Sequence, residues 1–279
     1  MYNKYLIVAS KQDKAGTGIT TALSQFRKNP LITSMSKDAK GFDFYLIETE
    51  IIEDSGVDYE KLKPYDFIIF ASKHQSEKGE KSLSVHAPGN WLSTEPKFGG
   101  EKQKVCPTSA LFQKQLFENL NKVSKEHELD EKYNITLECT HHGPLIDKPC
   151  IFIEIGSSET EWNDRKAAFV VAKTISETIE TFKENPYNEV AIGIGGPHYC
   201  PNFNKIQLNS NIAISHIIPQ YVLPLKLEMV KQAIEKTSEE VDFAVLDWKG
   251  LGNAEQRQEI IKILEDNYVK YKRTSDVDK

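Results

Sequence analysis

The chain has 279 residues, of which 39% are hydrophobic, enough for one large α/β domain or two small ones. Its formal net charge of -6 argues against coating nucleic acid through bulk charge, so any RNA contact has to come from a local basic patch. Cys106, Cys139, Cys150 and Cys200 form no CxxC pair, no apolar run approaches the roughly 18 to 20 residues that cross a bilayer, and Met1 leads straight into strand-like sequence, so we expect a soluble cytoplasmic protein with reduced thiols and no membrane partner.

Tyr5 to Ala9 opens a series of short runs rich in β-branched and aromatic residues. A helix-like stretch follows at Thr17 to Lys28, then runs at Phe42 to Ile47 and Phe67 to Ala71. From Lys73 to Val105 the rhythm breaks at Gly79, Pro88-Gly89-Asn90, Pro96 and Gly99-Gly100, as in a lid or binding loop, and this segment holds His74 and His86. Helix-like Thr108 to His127 precedes runs at Ile135 to Cys139 and Cys150 to Ile155. Helix-like Ser158 to Lys183 starts with a capping-box pattern, Ser158 to Glu161. Val190 to Ile194, Ile212 to Ile217, helix-like Tyr221 to Lys236, Val241 to Leu246 and helix-like Ala254 to Asn267 complete the series. Near-continuous hydrophobicity marks strands buried on both faces, and their alternation with helices predicts a three-layer α/β/α fold with a mostly parallel central sheet. We expect one catalytic domain over residues 1–272, a long loop or lid at about 73–106, and a polar tail at 273–279.

In parallel α/β sheets, ligands bind beyond the carboxyl ends of the strands, and polar residues collect there in this chain. His74 follows Phe67 to Ala71, His141 and His142 follow Ile135 to Cys139, and Gly195-Gly196-Pro197-His198 follows Val190 to Ile194. His216 lies near the end of its run, and Asp247-Trp248-Lys249 follows Val241 to Leu246. Imidazoles suit both general acid/base work and zinc ligation, and the residues leave both open. Adjacent histidines on an extended chain point to opposite faces, so His141 and His142 converge only if the backbone turns there, which Gly143-Pro144 allows. Glu154 sits inside an apolar strand, where a carboxylate must be paired, metal-bound or protonated. Gly195-Gly196 and Gly16-Thr17-Gly18 match neither GxGxxG nor the P-loop, so a nucleotide cofactor is unsupported.

Four segments taken together carry a resemblance: Leu83-Ser84-Val85-His86-Ala87-Pro88-Gly89-Asn90-Trp91, Thr140-His141-His142-Gly143-Pro144, Phe152 to Glu159 with Trp162, and Gly195-Gly196-Pro197-His198-Tyr199. The chain resembles the archaeal and plant type of D-aminoacyl-tRNA deacylase. One departure is Pro197, where the family pattern has another small residue before the histidine. The resemblance implies hydrolysis of the ester between a D-amino acid and the terminal ribose of tRNA, and a fold akin to phosphorylases and peptidyl-tRNA hydrolases. It also implies Zn2+, two ions per subunit, and a site at His74, His86, His141, His142, Glu154, His198 and Lys249. On that reading His141, His142, His198, Glu154 and Lys249 are catalytic, and His86, His141, His142 and His198 are metal ligands. His74, His86, Asn90, Trp91, Gly195 and Gly196 then bind substrate, with the Pro88 to Trp91 loop as the wall that rejects L-isomers. D-aminoacyl-tRNA is the expected partner, DNA is not, and the protein is expected to be a monomer. Lys97, Lys102, Lys104, Lys114, Lys122 and Lys125 are the candidate tRNA contacts. Two other readings stay open, a zinc-dependent hydrolase of another ester or amide, and a non-catalytic RNA or nucleotide binder.

Overall fold

A computed structural model of the protein describes residues 2–26, 41–53, 57–76, 78–184 and 186–277. The strand runs pair into two sheets. In the first, β1 (Lys4–Ser10), β2 (Gly41–Ile47), β3 (Phe67–Gln75), β4 (Ser82–His86), β7 (Asn134–Leu137) and β8 (Cys150–Ser157) lie in the order β2-β1-β3-β8-β4-β7. In the second, β9 (Glu189–Ile194), β10 (Ile212–Ile218), β11 (Phe243–Leu246) and β12 (Tyr271–Arg273) lie in the order β10-β9-β11-β12, all parallel. A short antiparallel pair, β5 (Gly89–Asn90) and β6 (Lys104–Val105), stands apart. The sheets meet where the chain leaving β7 donates from Cys139 N to His198 O at 2.9 Å and from Thr140 N to Ile217 O at 3.0 Å. The expected mostly parallel α/β architecture holds.

The two faces of the first sheet differ, because successive side chains of a strand point to opposite sides. On one face Tyr5, Ile7, Ile69, Ile151, Ile153, Leu83 and Val85 pack in one apolar cluster with α1 (Lys14–Leu23), α3 (Ala110–Glu126) and α5 (Arg165–Thr181). On the other, Leu6, Val8, Ile68, Phe70 and Phe152 pack with Leu62 of α2 (Tyr59–Leu62). Further along that second face the apolar residues stop, and Ser72, His74, Glu154, Ser84 and His86 take their place.

Several elements depart from the sequence expectation. The segment at 73–106 is not irregular throughout: Ser82–His86 is a buried strand, antiparallel to β8 and parallel to β7. Its short Ser-Leu-Ser-Val-His run alternates small polar with apolar residues, a half-buried pattern that a search for continuous apolar runs passes over. The stretch from Ser158 divides into α4 (Glu159–Trp162) and α5, and the capping box does not form: Ser158 Oγ donates to Glu161 Oε2 at 2.6 Å instead of accepting from the backbone. Asp164 caps α5 by accepting from Lys166 N and Ala167 N. Pro224 confines the next helix to α7 (Leu227–Glu235), and α8 (Ala254–Asp266) closes the series. An unforeseen helix, α6 (Pro201–Asn209), has Pro201 at its first position. Positions 27 and 28 of the first predicted helix lie outside the described residues, as do 278 and 279 of the tail.

Candidate active site

Strand register assembles the core of the site. Ser72 of β3 and Ser84 of β4 flank Glu154 on β8, so His74 and His86, two residues further along their strands, lie diagonally on either side of it on the same face. Small neighbours leave the room: a Cβ on Gly156 would stand 2.7 Å from the His74 ring and 2.8 Å from Ser82 Oγ. His141 and His142 enter from the end of β7. The backbone turns at His142 itself, with φ 43°, and the two rings come to 4.3 Å between centroids. Gly89 N holds this turn by donating to His142 O at 2.7 Å, and Gly143 N donates to Phe98 O at 2.9 Å. His198 arrives from beyond β9, with its ring 4.6 Å from that of His141.

The imidazoles divide into two electrostatic groups. His86, His141 and His142 direct Nδ1 at the backbone oxygens of Ala87 (3.2 Å), Cys139 (2.9 Å) and Gly143 (2.7 Å). A carbonyl only accepts, so each proton sits on Nδ1 and each Nε2 keeps its lone pair. Burial holds His141 well below its usual pKa and His142 down at about 4, and the neighbouring imidazoles add to both effects. The free lone pairs meet carboxylates: His86 Nε2 is 3.7 Å from Glu154 Oε2, His142 Nε2 3.9 Å from Glu154 Oε1, and His141 Nε2 3.4 Å from Glu138 Oε2. His86 Nε2 is buried with no hydrogen-bond partner among the described residues. Lone pairs converging with no proton between them repel, and a cation removes that repulsion.

His74 and His198 form the second group. His198 Nε2 donates to Glu138 Oε2 at 2.8 Å, and His74 Nδ1 stands 3.2 Å from Glu138 Oε1 and 3.5 Å from Glu154 Oε2. Burial opposes their protonation, but the Cys139 thiol and Glu138 push His198 up to about 10, and Glu154 and Glu138 raise His74. Burial likewise opposes ionisation of both carboxyls, yet His198 and His74 hold Glu138 low, and His74 holds Glu154 well below the carboxylate range. His74 and His198 line an open cleft of about 750 Å³.

Metal-ligating atoms of His86, His141 and His142 lie within 4.8 Å of one another, as do those of His74, Glu138 and His198, of His86, Glu138 and Glu154, and of Cys139, His141 and His198. Of the residues singled out from sequence, His74, His86, His141, His142, Glu154 and His198 come together. Lys249 does not join them: it is exposed on the turn after β11 and makes no hydrogen bond or ion pair with the cluster. Trp91 is 3% exposed inside the apolar cluster of the second sheet, so it presents no wall to a ligand. Asn90 donates to Gly99 O at 2.9 Å and holds the loop beside Gly143. Gly195 and Gly196 have φ 96° and 81°; Gly195 N donates to Ile218 O and Gly196 O accepts from Gln220 N, so the turn is tied to the chain at and just after the end of β10. His216 is buried away from the cluster, paired with Thr140 Oγ1 at 3.1 Å and edge-on to Trp91. Lys114, expected at the tRNA surface, is buried against Gln207 O and Ser210 O, and Lys122 pairs with Glu177.

Glu138 carries no role in the sequence reading, although it ties the two groups together. It is an acid inside a predicted apolar run, Ile135 to Cys139, which is the signal that singles out Glu154. Trp162 Nε1, donating to His74 O at 2.9 Å, and Tyr199 Oη, 2.9 Å from His74 Nε2, also support the site. The fold and cluster together define an α/β protein with a preformed imidazole–carboxylate site whose groupings could hold a metal ion.

The family model for D-aminoacyl-tRNA deacylase matches residues 62–272. A protein of Methanocaldococcus jannaschii named D-aminoacyl-tRNA deacylase is 33% identical over 276 residues, spanning 97% of this chain and 99% of that one. One of the same name from Pyrococcus furiosus is 35% identical over 267 residues, spanning 91% and 93%. The crystal structure of a conserved protein of unknown function, AF0625, superposes with a TM-score of 0.82 at 30% identity, covering 99% of this chain and 96% of that one. The chain belongs to the D-aminoacyl-tRNA deacylase family.

Proposed function

We propose that this protein is a hydrolase that cleaves the ester joining a D-amino acid to the terminal ribose of tRNA, releasing free tRNA and the D-amino acid in the cytoplasm. The observation that carries the reading is the joining of five imidazoles and two buried carboxylates beside an open cleft, in a chain of this family. An aminoacyl ester is already activated, so the protein needs to supply a positioned water, a place for protons and stabilisation of a tetrahedral oxyanion.

The donor set fits zinc. His86, His141 and His142 would hold the ion through Nε2, their tautomers being fixed by the backbone carbonyls that Nδ1 meets. When bound, zinc supplies Lewis acidity that lowers the pKa of a water. His74 and His198 hold positive charge at the cleft, where it favours an oxyanion over a neutral ester. Glu138 and Glu154 orient these rings and balance their charge. His74 Nε2 reaches Tyr199 rather than a carboxylate, so this nitrogen is where a proton enters or leaves on the cleft side. Acid/base groups are blind to chirality, so preference for the D-isomer rests on the shape of the cleft rather than on the imidazoles. Lys249 is adjacent to Gly250, where an added Cβ would meet Gly196 N at 2.3 Å and Gln220 Oε1 at 3.1 Å, and acts as a phosphate contact at the cleft margin, outside the chemistry.

The decisive experiment is deacylation of matched D- and L-aminoacyl-tRNA, before and after exhaustive chelation. We expect hydrolysis of the D-ester alone, loss on chelation and recovery with Zn2+. Intact D-aminoacyl-tRNA in the presence of metal-loaded protein would overturn the activity, and full turnover after the metal is gone would overturn the zinc site.

A further inference from the structure

The open cleft beside His74 and His198 has more in it than an amino acid and its ester require. Its volume, about 750 Å³, falls in the range of roughly 300–1,000 Å³ typical of small-molecule sites. Pro197, Tyr199, Pro201 and Tyr221 give it flat apolar walls. Tyr221 is 55% exposed although it is a large aromatic residue, and its hydroxyl lies 3.1 Å from Cys139 Sγ. An exposed ring anchored at its hydroxyl is a platform that loses little side-chain freedom when something stacks on it. At the edges, the side-chain amides of Gln75, Asn134 and Gln220 are exposed and make no hydrogen bond among the described residues. Flat apolar walls with free amides at the rim suit a planar heterocycle whose perimeter carries donors and acceptors.

We propose that this cleft is a purine-nucleoside subsite that takes the terminal adenosine of tRNA, with the base stacked on Tyr221 and its edge met by the free amides. The inference rests on the deacylase reading: the cleft abuts His74 and His198, so a ribose seated there carries its ester to the cluster. Recognition of the terminal nucleoside would also give an acidic protein, whose Lys114 is buried against Gln207 O and Ser210 O, a contact to RNA that does not depend on charge.

The test uses the metal-loaded protein, adenosine 5′-monophosphate as probe, and the variants Tyr221→Leu and Tyr221→Phe, each first checked for an unchanged thermal transition. Loss of one stacking partner is expected to weaken nucleotide binding about 5- to 150-fold, equivalent to ~1–3 kcal/mol, and to raise KM for D-aminoacyl-tRNA similarly with kcat retained. Tyr221→Phe keeps the ring and loses only the contact with Cys139, and is expected to fall closer to the parent than to Tyr221→Leu in both measurements. Cytidine 5′-monophosphate is expected to bind more weakly than the purine nucleotide. Unchanged KM and nucleotide affinity in Tyr221→Leu would overturn the proposal, as would a Tyr221→Phe variant as impaired as Tyr221→Leu, which would mark Tyr221 as only a support for Cys139. Nucleotide binding that depends on Tyr221 in a protein without deacylase activity would retain the subsite and reject the proposed reaction. Deacylation that the nucleotide fails to inhibit would do the reverse.

Discussion

Replacing Glu138 with glutamine tests the link between the two imidazole groups, since the change keeps the shape of the side chain and removes one negative charge. Glu138 Oε2 accepts from His198 at 2.8 Å and lies 3.4 Å from His141 Nε2, while Oε1 is 3.2 Å from His74. An amide has one accepting oxygen, so one of the two rings, His74 or His198, faces an NH2 group and the other keeps a weaker, uncharged acceptor. A hydrogen bond to a charged group contributes ~1.5–3 kcal/mol, so losing one that matters in the transition state is expected to lower kcat/KM for D-aminoacyl-tRNA about 10- to 150-fold. Initial rates of deacylation measure the effect, and thermal unfolding separates it from a folding defect. Glu177→Gln, which changes a surface carboxylate paired with Lys122 and Lys173, serves as the control and is expected to leave activity unchanged. A Glu138→Gln variant within twofold of the parent would refute the claim that this carboxylate orients the cleft-side histidines.

Three further outcomes follow from the geometry. His86→Ala removes one of the three converging lone pairs and is expected to lower bound metal by at least tenfold, measured by elemental analysis of dialysed protein. His216→Ala, equally buried but turned toward Thr140 and Trp91, is expected to cost ~0.5–3 kcal/mol of stability in denaturant unfolding while leaving metal content intact; metal loss in it would show that the cluster extends to this ring. Gly143→Ala would put a Cβ 2.2 Å from Gly100 N and 2.4 Å from Gly99 C, so the loop holding His142 must move. The cost is expected at ~1–3 kcal/mol with a much larger proportional loss of deacylation, and unaltered activity would mean that this loop does not fix His142.

Much of the architecture was legible because burial on both faces of a parallel strand leaves a continuous apolar run, and runs such as Phe67 to Ala71 and Cys150 to Ile155 fall within strands. The histidines after those runs were visible for the same reason, since polar residues at the end of a buried strand are conspicuous. Ser82–His86 was not recognised as a strand, because its serines face a polar cluster and interrupt the run. That strand carries His86, and its antiparallel register against β8 is what brings His86 to Glu154. Trp91 and Lys114 were misplaced for the opposite reason: an aromatic residue after a Pro-Gly turn and a lysine on a helix look exposed until the packing of the neighbouring sheet and helix is known.

The sequence by itself determined the strand and helix types, the set of imidazoles and the family resemblance, because these depend on local periodicity and on which residues occur in which order. Only the tertiary structure decided the division of labour among the histidines. Whether an imidazole offers a lone pair or holds a proton depends on what its two nitrogens face. For His86, His141 and His142 that is a nearby carbonyl, and for His74 and His198 it is a carboxylate delivered by another strand. The carbonyls are one or two residues away, but the carboxylates lie tens of residues along the chain from the rings they face, and tertiary pairing, not spacing, brings them together.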